Sequence, residues 1–108
     1  MTCILKRYVV GVTGYGDAHF YAKNKNQARM RAFHAMQSAN DAITFKRFLK
    51  IVSYIHDAKT PEGFGRNILV SGKPAHWIEH AGGNSVLFAW PNDDKVFTSH
   101  ELDIEDAQ

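Results

Sequence analysis

Thr44-Phe45-Lys46-Arg47-Phe48-Leu49-Lys50-Ile51-Val52-Ser53-Tyr54-Ile55-His56-Asp57 admits two readings, and the choice between them decides the fold. Phe45, Phe48, Leu49, Val52 and Ile55 recur at helical spacing, as they would in one long helix starting at Thr44. Ile51-Val52-Ser53-Tyr54-Ile55 is instead a β-branched and aromatic run, which suits a pleated strand. The reading adopted is a short helix over 45–50 followed by a strand over 51–57; the single helix is its competitor.

Upstream, residues 4–13 are rich in β-branched and aromatic side chains and read as a strand. Gly14-Tyr15-Gly16-Asp17 is a turn, and 18–22 returns as a second strand, which completes a hairpin. Asn24 followed three residues later by Gln27 has the form of a capping box, so a helix starts near Lys25. Ala28, Ala32, Ala35, Met36 and Ala39 fall within about 100° of one another on that helix. A stripe so rich in alanine lets the helix lie close against a sheet. Arg29 and Arg31 flank it, His34 points away, and Ser38-Ala39-Asn40-Asp41 stops the helix.

Downstream, Thr60-Pro61-Glu62-Gly63-Phe64-Gly65 is a turn-rich connector, and 67–71 is a short strand ended by Gly72-Lys73-Pro74. Residues 75–80 and 85–90 flank Ala81-Gly82-Gly83-Asn84, a strong hairpin signal. With Gly82-Gly83 as the turn, Trp77 lies opposite Phe88, Ala75 opposite Trp90 and Ile78 opposite Leu87. Apolar side chains on both faces predict a hairpin covered on both sides, or one curled as in a small barrel. A last strand is expected over 95–98. The acidic tail from Ser99 to Gln108 is expected to be ordered near Leu102 and Ile104 and frayed beyond them. The fold class is therefore α+β: an N-terminal hairpin packed by one main helix, then a β-rich C-terminal part, in one domain over 1–108. Trp77, Phe88, Trp90, Val10, Ile51 and the Ala28–Ala39 stripe are its predicted core.

A chain of 108 residues buries about two-thirds of its surface on folding, enough for one real core. At 44% hydrophobic and 12% aromatic residues it is too rich to be disordered. Its longest apolar run, Tyr8-Val9-Val10-Gly11-Val12, is far short of a membrane span. Met1-Thr2-Cys3-Ile4-Leu5 precedes Lys6 and Arg7, the wrong order for a secretion signal, and the lone Cys3 suits a reducing, cytoplasmic setting. The net charge of +2 conceals a division. Residues 1–59 carry ten cations against three anions, a net +7, whereas 60–108 carry three against eight, a net −5. Either the basic half offers a surface to a nucleic acid or an acidic protein, or the two halves face each other and neutralise within one fold.

Six histidines, His19, His34, His56, His76, His80 and His100, raise the question of a metal. The tempting pair, His76 and His80, falls on a strand, where four residues span about 13 Å. Two ligands each about 2 Å from one ion cannot stand that far apart, so no metal and no other cofactor is expected. Cys3 has no local base, no serine sits in a Gly-x-Ser-x-Gly setting, and Ser99-His100-Glu101 alternates sides on an extended segment, so no catalytic residue is assigned. Gly11-Val12-Thr13-Gly14-Tyr15-Gly16 joins two strands and lacks the helix that a phosphate loop requires. The cations are the sharper signal: Lys23, Lys25, Arg29 and Arg31 beside His19, Phe20 and Tyr21, then Lys46, Arg47 and Lys50. No helix-turn-helix, RRM, KH or zinc-finger pattern accompanies them.

Gly65-Arg66-Asn67-Ile68-Leu69-Val70-Ser71-Gly72-Lys73-Pro74-Ala75-His76-Trp77 and Ser99-His100-Glu101-Leu102-Asp103-Ile104-Glu105 are similar to stretches of small uncharacterised proteins encoded by tailed bacteriophages and prophages. The resemblance extends over about half of the chain. It implies a bacterial cytoplasmic setting and a protein that binds a host or phage component without catalysis, and it transfers no functional residue. The expectation is thus a non-catalytic, phage-type protein acting through a protein–protein surface. The alternative is a nucleic-acid binder using Lys23, Lys25, Arg29, Arg31, Lys46, Arg47 and Lys50. Self-association of a basic face with an acidic one is a further expectation, and a membrane is not among the partners.

Overall fold

The computed structural model describes residues 3–39 and 42–107. Asn40 and Asp41, on which the predicted helix stop partly falls, lie outside the described residues, as does the last residue of the tail. The chain divides into an N-terminal unit, Lys6–Lys59, and a C-terminal unit of residues 60–107 with 3–5.

The N-terminal unit runs β1 (Lys6–Val12), β2 (Gly16–Ala22), α1 (Lys25–Ala39), α2 (Phe45–Ile51) and β3 (Val52–Asp57). Its antiparallel sheet has the order β2-β1-β3, with Val9 opposite His19 on one side and His56 on the other. The capping box forms. Asn24 Oδ1 accepts the Gln27 N–H at 2.8 Å, and Gln27 Oε1 accepts the N–H of Lys23 at 2.8 Å. Thr44 caps α2 by accepting the Arg47 N–H at 3.2 Å.

The contested stretch is a helix followed by a strand. At Val52 the backbone turns extended (φ −68°, ψ 122°), and its N–H closes the helix on the Phe48 carbonyl. Ile51, expected to open the strand, is the last residue of α2. Its carbonyl nevertheless accepts the Thr13 N–H at 2.8 Å, so the sheet takes over where the helix ends.

Tyr8, Val10, Val12 and Ala22 form the inner sheet face, covered by Ala28, Ala32, Phe33, Ile43 and Phe48, with Ile51 and Ile55 half-buried against them. The predicted alanine stripe holds only in part. Ala28 and Ala32 are buried and Met36 is half-buried, but Ala35 and Ala39 are exposed. Ala35 and Ala39 still face the β1–β2 hairpin, but across an open apolar groove that leaves them exposed. On the other flank of the stripe Phe33 turns inward, its ring meeting Phe45 edge-on at 5.1 Å and Phe48 at 5.5 Å.

In the C-terminal unit, β4 (Asn67–Val70), β5 (Lys73–Gly82), β6 (Ser85–Ala89), β7 (Phe97–His100) and β8 (Ile104–Asp106) form one antiparallel sheet in the order β7-β6-β5-β4-β8. The sheet is open rather than barrel-like, with β7 and β8 as its edges. Ile68, Val70, Ala75 and Phe88 form one core cluster; Trp77 and Trp90, expected to be largely buried, are half-buried against it. The Arg66 guanidinium lies over the Trp77 ring at 4.7 Å, a cation–π contact.

Several expectations for this unit need correction. The strand predicted over 67–71 ends at Val70 and Gly72 does lie in the turn that stops it, but Lys73-Pro74 already belong to β5, so β4 and β5 are a hairpin; Pro74 sits where β6 no longer reaches, so its missing N–H costs no bond on that side. In the β5–β6 hairpin, Trp77 faces Phe88 as predicted, but Gly82 pairs with Ser85 and Glu79, not Ile78, faces Leu87. The loop is Gly83-Asn84, with Gly83 at φ 56°, and two bulges restore the predicted register at the far end. The paired residues end at His76 and Ala89, short of the predicted Ala75–Trp90 pair. Finally, the strand predicted over 95–98 starts at Phe97, because Asp93 Oδ1 holds the Lys95 N–H at 3.0 Å and prolongs the turn. Beyond it, Glu101–Asp103 form a 3-10 turn and β8 pairs with β4 through Asp106, so the tail is ordered past Ile104 while Leu102 is 83% exposed.

Candidate nucleic-acid interface

The seven cations singled out in the sequence all lie in the N-terminal unit, but the fold sorts them. Lys46, Arg47 and Lys50 are exposed on α2 and line one open concavity of about 620 Å³ with Ala42, Thr44 and Ile51. The described charges lining it are all positive. Lys23 and Lys25 are exposed around the start of α1, whose first turn holds no acidic residue. Arg29 and Arg31 part company. Arg29 is half-buried and lines a depression of about 230 Å³ with Leu49, Val52, Ser53, Tyr54 and Ile55. Arg31 donates from its guanidinium to the Tyr21 carbonyl and ties α1 to β2.

This separation has a measurable consequence. Arg29→Ala is expected to leave the melting curve nearly unchanged and to flatten the salt dependence of nucleic-acid binding by roughly one ion. Arg31→Ala is expected to destabilise the unit by about 1 kcal/mol with the slope intact, because it removes a charged hydrogen bond inside the fold. Urea unfolding and a salt titration of each variant read the two effects apart.

The outer face of the sheet carries groups that the sequence reading did not place in a site. Asp17, Gly11 and Tyr54 stand side by side across β2, β1 and β3; His19, Val9 and His56 form the next row, and Tyr21 and Arg7 the third. A Cβ built on Gly11 would lie 2.3 Å from the Tyr54 ring, so that ring rests on the bare glycine backbone. Tyr54 remains 38% exposed and is stacked on His56 at 4.9 Å and 14°. Its hydroxyl donates to Asp17 Oδ2 at 3.1 Å, and that hydrogen bond to a carboxylate raises the phenol above its ordinary pKa. The cue in the sequence was Gly11 itself: a glycine amid valines in a strand marks a close approach.

Two other features bear on chemistry. An apolar groove of about 290 Å³ opens between the β1–β2 hairpin and the C-terminal half of α1, lined by Val12, Phe20, Ala35, Met36 and Ala39 among others. In the C-terminal unit His76 is 1% exposed, with Nδ1 3.3 Å from the Gly65 carbonyl and Nε2 buried without a hydrogen-bond partner among the described residues. Among the described residues no group of three or more His, Cys, Asp or Glu side chains is placed to hold a metal ion. No described helix is long and apolar enough to cross a membrane. In comparisons with protein families, with curated proteins and with solved structures, nothing matches this chain.

Proposed function

We propose that the chain is a non-catalytic binding protein of the phage or prophage type whose basic N-terminal unit takes hold of nucleic acid. The observation that carries this reading is the coincidence of two boundaries. The charge changes sign between residues 59 and 60, and the N-terminal structural unit ends at Lys59. The whole +7 therefore belongs to one small unit, with three of its cations open in a single concavity. Such a unit attracts a polyanion at long range and releases counterions on contact. Lys25 supports the same reading: in the first turn of α1 the helix dipole disfavours a cation, so its charge adds nothing to folding there. Burial pushes the Cys3 thiol above its ordinary pKa, which disfavours the nucleophilic thiolate.

The test is fluorescence anisotropy of short labelled strands and duplexes from about 50 to about 200 mM salt. Binding at the low end that weakens steeply along a straight line in log salt is the expected result; unaltered anisotropy at low salt with excess protein removes the reading. The apolar groove favours a second reading, a protein partner that seats an apolar side chain against Ala35 and Ala39. In that case Ala35→Glu abolishes capture of the partner from a bacterial lysate without altering binding of nucleic acid.

A further inference from the structure

We infer that the apolar groove of the N-terminal unit takes up Leu102 from a second copy of this chain; this rests on the second reading above and names its partner. The groove, about 290 Å³, is open and largely apolar, with Phe20, Ala35, Met36 and Ala39 among its walls. The one acid among the described residues lining it, Asp17, is engaged elsewhere: its Oδ2 accepts the Tyr54 hydroxyl at 3.1 Å on the outer sheet face.

The same chain carries a knob that fits such a groove. Leu102 is 83% exposed, more than any other large apolar side chain among the described residues. It is also held in place. The Glu101 N–H bonds the Asn84 carbonyl at 2.8 Å, and the Ser71 N–H bonds the Asp103 carbonyl at 2.9 Å. His100 Nδ1 accepts the Leu102 N–H at 3.1 Å. A leucine fixed in the open from both sides has little backbone freedom left to lose on docking, so its burial favours association with little ordering cost.

Charge complementarity selects a second copy as the source of that leucine. Glu101 and Asp103 flank Leu102 and Glu105 follows, all exposed, in the half of the sequence with a net charge of −5. The groove belongs to the unit that carries the +7. Tyr15, which walls the groove, also borders a smaller depression lined by Arg47, so a cation stands close by for the acids beside the knob. Knob and groove are different surfaces, so the contact is heterologous, and each pair keeps one free knob and one free groove. A single apolar anchor with a few charges makes a weak contact, with a dissociation constant on the order of 0.1 mM.

Sedimentation of the full chain from about 10 μM to about 1 mM, at about 50 mM salt, is the test. The mean mass is expected to climb past that of a dimer with concentration and to fall as added salt screens the charges. Leu102→Asp and Ala35→Glu lie at exposed positions, so each is expected to keep the wild-type melting curve and to weaken association about tenfold or more. Leu102→Asp separates the knob from bulk charge: it makes the turn more acidic, so association by charge alone would strengthen. Mixed in equal amounts, the two variants are expected to form a heterodimer and nothing larger, since one retains only its groove and the other only its knob. Should Ala35→Glu fail to fold, Leu102→Asp alone decides. A wild type that stays monomeric throughout, a Leu102→Asp chain that associates as well as the wild type, or a mixture that stays monomeric overturns this inference. Lysate capture lost with Ala35→Glu would then leave the second reading standing with a different protein in the groove; capture that survives Ala35→Glu overturns that reading as well.

Discussion

Phe48→Ala is expected to remove most of the stability of the N-terminal unit. Phe48 is fully buried and sits where α2, α1 and the inner sheet face converge, its ring 5.5 Å from that of Phe33. Truncating such a ring loses its transfer energy and leaves a cavity, together about 3–5 kcal/mol. A unit the size of Lys6–Lys59 commands only about 3–8 kcal/mol in all. Phe45 provides the internal comparison. Its ring touches the same partner, Phe33, but is 36% exposed, so Phe45→Ala is expected to cost about 1 kcal/mol. Urea unfolding followed by far-UV circular dichroism, with amide exchange on β1 and β3, separates the two variants. A smaller loss for Phe48→Ala than for Phe45→Ala would place the centre of this core elsewhere.

What the sequence made legible was chiefly local chemistry. Asn24 and Gln27 announce the start of α1 because capping acts over three residues, and the β-branched run after Ile51 ends α2 because those side chains prefer a pleated backbone. Properties set by tertiary volume were harder to read. A helical wheel treats Ala35 and Ala28 alike, but the sheet closes over Ala28 whereas Ala35 lines the open groove toward the β1–β2 hairpin. The acidic tail looked frayed because Glu105 and Asp106 carry no apolar pattern; β8 is held by backbone bonding to β4, which composition does not report. The candidate site divides the same way. Lys46, Arg47 and Lys50 could be named from their clustering, since helical spacing places them on one short surface. Tyr54 could not, because its partner Gly11 is far away in sequence and meets it only through strand register.

That clustering also gives the largest functional effect. Neutralising Lys46, Arg47 and Lys50 together to alanine is expected to make the slope of log affinity against log salt shallower by about 2.7 for a duplex and about 2.1 for a single strand. At about 0.1 M salt the same change weakens binding on the order of a hundredfold, because three released counterions no longer contribute. The fold should tolerate it: the three side chains are exposed, alanine favours a helix, and only Lys50, in the last turn of α2, loses a few tenths of a kcal/mol against the dipole. A loss of net charge anywhere would weaken the long-range field, so the control removes the same three charges elsewhere, at the exposed Lys6, Lys59 and Lys73. If the concavity grips phosphates, the control keeps nearly the full slope and the α2 variant loses it. If both variants lose affinity equally, nucleic acid feels only the overall charge and α2 holds no contact surface.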